Sequence, residues 1–168
     1  MNKYLKRSYP PGYSYKNEIA LTICAFAGGA LNSLIGFFRE YSAAKKSLYI
    51  RIGTDIILDE SRVMPDFIHI LGGKLYYMLI LAALAFIIPS AIHYAYYHTG
   101  SKSIYLMRRL PNRFELHRQR LLMPLVYAFV FVFATAALLL IYYAVYMSNT
   151  PEACLPPGQW QKIWRGSF

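Results

Sequence analysis

Acidic side chains are scarce in this chain. Eight Asp and Glu stand against eighteen Lys and Arg, for a formal net charge of +10. Cysteine is scarcer still. Cys24 and Cys154 are too few for a disulfide framework, and neither belongs to a zinc-type spacing. One falls in an apolar run and the other in the C-terminal tail, so they are expected at different depths and not as partners. A phosphate-binding loop is also missing. Gly72-Gly73-Lys74 lacks the upstream glycine spacing and the Ser or Thr after the lysine. No nucleophile–base pair stands at a readable spacing, so an enzyme reading has no positive support. No catalytic residue, metal or cofactor is expected. His69, His93 and His98 raise the question of haem. However, His69 and His93 would stand about 36 Å apart on a straight helix, and nothing supplies a paired ligand at matching depth. They read as interfacial histidines. Asp55, Asp59 and Glu60 lie near Arg51 and Arg62, which favours surface ion pairs over a cation site.

Apolar residues, by contrast, are abundant. The chain is 57% hydrophobic with sixteen Tyr and two Trp, and its mean hydropathy is positive. A soluble domain of 168 residues could not hide that much apolar surface. Apolar spans facing lipid, with charges gathered in the loops and amphipathic rings at the headgroups, account for both properties. A high pI also suits nucleic-acid binding. Here the basic residues flank the spans, so the expected partners are membrane lipids and no nucleic acid.

The expected fold is an all-α integral membrane protein with three spans and a short cytoplasmic coupling-type helix between spans two and three. Residues 1–17 form a basic arm broken by Pro10, Pro11 and Gly12. Only Ile19 to Cys24 precede the cleavage-like Ala25-Phe26-Ala27, and apolar residues continue past it, so the segment reads as an uncleaved span over 18–38. Ala25, Gly29 and Ser33 fall on one face of it, with Gly28, Asn32 and Gly36 beside them. Small residues admit a neighbouring helix, and Asn32 is placed to hydrogen-bond across the contact or to line a path. Residues 39–67 form an extracytoplasmic loop for which interfacial helices and a short hairpin both fit. Span two occupies 68–97, with a kink expected at Pro89. Span three occupies 122–147, with Pro124 expected in its first turn. The tail, 148–168, is Pro-rich, and its Trp160 and Trp164 suit the outer leaflet.

Orientation follows from charge. The segments 1–16 and 98–120 hold ten Lys and Arg; 39–67 and 149–168 hold seven over a greater length. The more basic pair belongs in the cytoplasm, which puts the N-terminus inside and the C-terminus outside a cell membrane. Most of the bias comes from the basic loop 98–121. Ser101 is a candidate N-cap, Ile104, Met107 and Leu110 recur at three-residue steps, and Pro111 ends that helix. Asn112 with Glu115 gives a capping-box-like start to a second helix that runs through Leu116 and Leu121 into span three. The plain use of such a loop is a turn whose arginines hold orientation and bind headgroups. The sharper use is docking a cytoplasmic protein.

The residues Lys102-Ser103, Tyr105, Leu110-Pro111 and Arg113, set between spans two and three, carry a family resemblance. The layout over 17–147 resembles the first half of a permease of the type-2 ATP-binding-cassette (ABC) transporters, of the kind common in Gram-positive bacteria. Arg109 stands where that family often has Ser. The resemblance implies docking of a cytoplasmic ATPase subunit through 101–113, by Lys102, Ile104, Tyr105, Arg108, Arg109, Leu110, Pro111 and Arg113. Three spans cannot enclose a translocation path, so it also implies a second membrane subunit or self-association. The other reading is an accessory or scaffold membrane protein that binds a partner membrane protein and transports nothing. A third is a membrane sensor using 39–67 as its outer domain.

Overall fold

The computed structural model describes Tyr9 and residues 13–52, 55–59, 61–98 and 113–165. Within these the chain is mostly helical. Helix α1 is Tyr15–Lys46, the strands β1 and β2 are Tyr49–Ile52 and Asp55–Leu58, and a short helix α2 is Phe67–Leu71. Helices α3 (Tyr76–His98) and α4 (Arg113–Asn149) follow, then a single 3-10 turn, Glu152–Cys154, and helix α5, Gln159–Arg165. Three of these helices, α1, α3 and α4, are long and apolar enough to cross a membrane.

Two of them, α1 and α4, exceed a bare hydrocarbon-spanning stretch. Helix α1 has 32 residues and α4 has 37, or about 48 and 55 Å at 1.5 Å per residue. Helix α1 therefore runs past residue 38 to Lys46, where Lys45 and Lys46 complement its C-terminal dipole. The connection after it is a hairpin: β1 and β2 pair antiparallel with Tyr49 opposite Leu58 and Ile52 opposite Asp55. The stretch at 68–97 is split. Gly72, at φ +49°, caps α2 with its N–H on the Ile68 carbonyl, a left-handed conformation that glycine adopts without strain. Helix α3 starts only at Tyr76. Pro124 lies well inside α4 and not in its first turn, because the helix begins at Arg113 and runs unbroken through the proline.

The chain divides into two compact units. Unit one comprises Met1–Gly29 and Met78–Ala134; unit two comprises Ala30–Tyr77 and Thr135–Phe168.

In unit two the core is aromatic. Phe37 stacks on Tyr142 with ring centroids 4.2 Å apart and planes 9° apart, and Phe67 meets Tyr143 and Tyr146 edge-on. Each such pair contributes about 0.5–1.5 kcal/mol beyond area burial. Phe37, Phe67, Tyr142 and Tyr146 are all buried. Their polar tips are satisfied: Tyr142 shares a 3.0 Å hydrogen bond with Ser33, and the Tyr146 hydroxyl donates to the Pro65 carbonyl at 2.9 Å.

The C-terminal tail belongs to this core. Gln159 is buried, and its Oε1 accepts the Phe67 N–H at 2.8 Å while its Nε2 donates to Asp66 at 2.9 Å. The Lys162 ammonium also reaches Asp66, at 2.7 Å. The Met64 N–H donates to the Cys154 carbonyl at 2.9 Å. Trp160 packs edge-on against Tyr143. The tail is therefore held against the segment 64–67 because one amide satisfies both a carboxylate and a first-turn N–H of α2, groups that a short helix leaves open. Cys154 is buried here, and both cysteines are free.

Lys162 first, then Gln159, holds the Asp66 carboxyl below the usual carboxylate range. The native state thus favours the ionised form. The resulting stabilisation is complete above the unfolded value of about 3.9 and is lost as pH falls through the lowered native value. The Asp66 side chain is 44% exposed, so screening keeps the contribution small. Tryptophan fluorescence of the detergent-solubilised protein should hold steady down to about pH 4 and change below it as α5 lets go. Lys162→Ala should move that midpoint upward; an unmoved midpoint would remove Asp66–Lys162 from the account of the tail.

Candidate functional site

Unit one is organised around a proline. Pro124 has no N–H, so the carbonyl four residues earlier, that of Arg120, loses its helical donor. The His93 ring fills the gap: Nδ1 lies 3.1 Å from the Arg120 carbonyl oxygen. Its other nitrogen, Nε2, lies 3.0 Å from Oε2 of Glu18. The His93 side chain is completely buried and the Glu18 side chain is 6% exposed. Three elements thus meet: the first turn of α1, the C-terminal part of α3, and α4 at the turn before Pro124.

The chemistry of the partners fixes the protons. A backbone carbonyl can only accept, so Nδ1 must carry a hydrogen. Nε2 and the Glu18 carboxyl then share one further proton, as imidazolium with carboxylate or as imidazole with carboxylic acid. The pair is neutral in either form. That neutrality is what allows two ionisable groups to be buried together.

Aromatic rings close the site. Tyr9 and Tyr13 present their edges or faces to His93 at 5.8 and 5.1 Å, with interplanar angles of 83° and 84°. Tyr9 stacks on Tyr15, and its hydroxyl bonds that of Tyr127. Burial pushes the Tyr9 phenol up, with the Tyr127 hydrogen bond adding to it. Burial likewise raises Tyr13, with the neighbouring Glu18 carboxylate adding to it. Both therefore remain neutral hydroxyls. The Arg120 guanidinium lies over the Tyr94 ring at 4.4 Å, a cation–π contact. One turn of α4 is tied again by Gln119, whose Oε1 accepts the Tyr97 hydroxyl at 2.7 Å.

One polar atom of the pair is left over. Glu18 Oε1 is buried and has no hydrogen-bond partner of full geometry among the described residues, while the Tyr13 and Tyr127 hydroxyls lie close enough to the Glu18 carboxyl to interact with it. Glu18 also lines a partly open cavity of about 480 Å3. The walls are mostly apolar, from Leu21, Leu84, Ile88 and Phe131, with Asn17 and Thr22 among the polar lining residues. The Thr22 hydroxyl is already committed to the Glu18 carbonyl at 2.8 Å. Pro89 also lines the cavity, as does Ala85, whose carbonyl has no N–H to receive from Pro89.

The residues singled out from the sequence fall as follows. Lys102, Ile104, Tyr105, Arg108, Arg109, Leu110 and Pro111 lie outside the described residues, and Arg113 opens α4. Ala25 lines the cavity. Gly29 is buried; a Cβ there would stand 2.5 Å from Leu81 Cδ1 and 2.8 Å from Met78 Sδ. Ser33, in unit two, is buried on Tyr142. Asn32 is exposed and stands off the packed face, so it does not supply the hydrogen bond across a helix contact that its type suggests. The interfacial reading of His93 is corrected as well: it is a buried link between a carboxylate and a carbonyl, because Pro124 requires a donor there. Glu18, His93 and Arg120 were not singled out as a site. The available signal is a lone acid directly before one apolar run, together with a histidine near the end of the next. Among the described residues no cluster of His, Cys, Asp or Glu suited to a metal ion is present.

Comparison with known proteins returns no matching family model, no similar curated protein and no similar solved structure.

Breaking the pair from one side should cost more than removing it. His93→Leu leaves the Glu18 carboxyl buried alone, a loss of about 3–5 kcal/mol by analogy with other buried pairs. The Glu18→Leu, His93→Leu double variant should recover part of this, as read from denaturant titration in mixed micelles. Additive losses would show that the two side chains do not act as a unit.

Proposed function

We propose that this chain is a membrane subunit of an ABC-type transport complex, with segment 101–113 facing the cytoplasm and docking an ATPase. The cell membrane, the inward N-terminus and the outward C-terminus are part of the same reading. They rest on the gathering of Lys and Arg in 1–16 and 98–120. ATP binding falls to the partner, since the sequence has no phosphate-loop spacing of its own. A second membrane subunit or a second copy of the chain completes any path.

The observation that carries the proposal is the continuity of α4. The helix begins at Arg113, directly after the basic segment, and runs without a break to Asn149. A push at 101–113 would act on the start of one continuous helix. The Gln119–Tyr97 and Arg120–His93 bonds then supply contacts that such a displacement must keep or break. Coupling requires differential contacts of this kind between two states of the motor.

The accessory or scaffold reading has one observation in its favour. Asn32 is exposed on an apolar helix, one turn from Gly28, where a Cβ would meet nothing within 4 Å. An amide facing hydrocarbon gains from a partner helix that offers it a hydrogen bond.

The readings separate by experiment. Wild-type protein purified in mild detergent should bring down a Walker-motif ATPase and stimulate its hydrolysis. Arg109→Glu or Leu110→Asp should lose that stimulation at least tenfold while the chain still inserts. If both variants stimulate as wild type does, or if a thiol at position 109 is labelled from outside intact cells, the docking proposal fails. Loss of a membrane partner in Asn32→Leu, with Arg109→Glu silent, would favour the scaffold.

A further inference from the structure

We infer that a polar cavity in unit two is a binding site for the phosphoethanolamine head group of a membrane lipid, its phosphate and its ammonium each met by a group of opposite sign. The inference rests on α3 crossing a membrane and not on the ATPase reading.

The cavity measures about 440 Å3, and its lining includes Asp66, His69, Gly73, Tyr76 and Lys162. That volume falls within the range of cavities that hold small ligands, roughly 300–1,000 Å3. Its depth follows from α3. Tyr76 is the first of the 23 residues of that helix, which cover about 35 Å, close to a hydrocarbon thickness of about 30 Å. A cavity at the first residue of such a helix lies at the level of the head groups. Tyr76 is exposed there, an amphipathic ring suited to that level.

The charged groups of the wall can be reached, and they have bonding capacity left. The Lys162 and Asp66 side chains are 39% and 44% exposed. Lys162 has three N–H donors and uses one on Asp66 Oδ1. The Gln159 amide bonds that same oxygen, and the carboxylate makes no cap bond to α2, so Oδ2 remains for a ligand. His69 is exposed, and its imidazole offers an N–H in either tautomer. Gly73 and Tyr76 bring the start of α3 to the same wall, where first-turn N–H groups favour negative charge.

These charges select the occupant. Lys162, His69 and the start of α3 attract a phosphate. A plain anion would also face the Asp66 carboxylate, and a plain cation would face the Lys162 ammonium. A head group with both signs meets both and adds no net charge. A primary ammonium donates to Oδ2 in a charge-assisted bond; a trimethylammonium has no N–H to donate.

Native mass spectrometry of the full-length protein in mild detergent tests this. Dipalmitoyl phosphatidylethanolamine, phosphatidylcholine and phosphatidylglycerol are added at equal mole fraction. The ethanolamine lipid should be retained about tenfold more than either other, the worth of one hydrogen bond to a charged group. Asp66→Asn should bring it down to the choline level. Gly73→Leu fills the cavity and leaves the Asp66, Lys162 and Gln159 contacts in place; a Cβ there would meet only Tyr76 Cδ2, at 3.7 Å. It should abolish the preference. Glycerophosphoethanolamine should compete only at concentrations about a hundredfold higher, because the acyl chains add burial of their own. Competition by that soluble ester on equal terms would overturn the lipid as occupant. Equal retention of the three lipids, or preference for the glycerol lipid, would overturn the two-sign recognition. An ethanolamine preference that survives Gly73→Leu would place the lipid elsewhere and overturn the site.

Discussion

Pro124 imposes the constraint from which unit one is built. Inside a helix it leaves one carbonyl without a donor, and in a buried setting that carbonyl must be satisfied by some other group. The Arg120 carbonyl recruits His93. A histidine so used has one nitrogen committed as a donor, and its other nitrogen then needs a partner of its own. Glu18 meets that need. The carboxyl in turn has a second oxygen, buried beside the Tyr13 and Tyr127 hydroxyls. A single missing N–H on α4 thus fixes a histidine tautomer on α3 and a buried acid on α1. Tyr9 and Tyr13 shield the whole arrangement with rings whose hydroxyls stay protonated.

Unit two follows a different logic. Its core depends on aromatic area, with Phe37, Phe67, Tyr142 and Tyr146 in mutual contact and each buried phenol given a partner. Gln159 is the polar centre, using both ends of its amide on Asp66 and the Phe67 N–H. An amide does this without a net charge to desolvate. The tail consequently behaves as a structural element of the unit.

The helical class and the three apolar helices were legible because length and hydropathy are local properties of the sequence. The sequence of 39–67 fits interfacial helices and a hairpin equally, and the structure has the hairpin at 49–58. The missed features all involve groups far apart in the chain. Glu18 and His93 are separated by 75 positions, and Gln159 and Asp66 by 93. No periodicity within a window links such pairs. Residue type alone places Pro124 at a helix start, where proline is enriched. The alternative, a mid-helix proline repaired by a side chain from another helix, requires knowledge of which histidine lies opposite. Asn32 differs in another way: a polar residue next to a small-residue face suggests a hydrogen bond, but only the stripe with Gly29 and Ser33 is buried, and Gly28 and Asn32 on the stripe beside it are exposed.

The position of the satisfied carbonyl bears on mechanism. Arg120 lies about two turns after the start of α4, next to Gln119 with its own bond to Tyr97. On the proposed reading the basic segment acts on this same stretch. The elements that hold α4 in place are then also the elements that shape the cavity, through His93 and Glu18. A partner docked on 101–113 would favour one position of α4 and, through the Arg120 carbonyl, one arrangement of the His93–Glu18 pair. Linkage makes that effect reciprocal: whatever favours one arrangement of the pair must favour docking by the same factor. Whatever coupling exists is limited by the difference in contacts at Arg120 and His93 between the two arrangements.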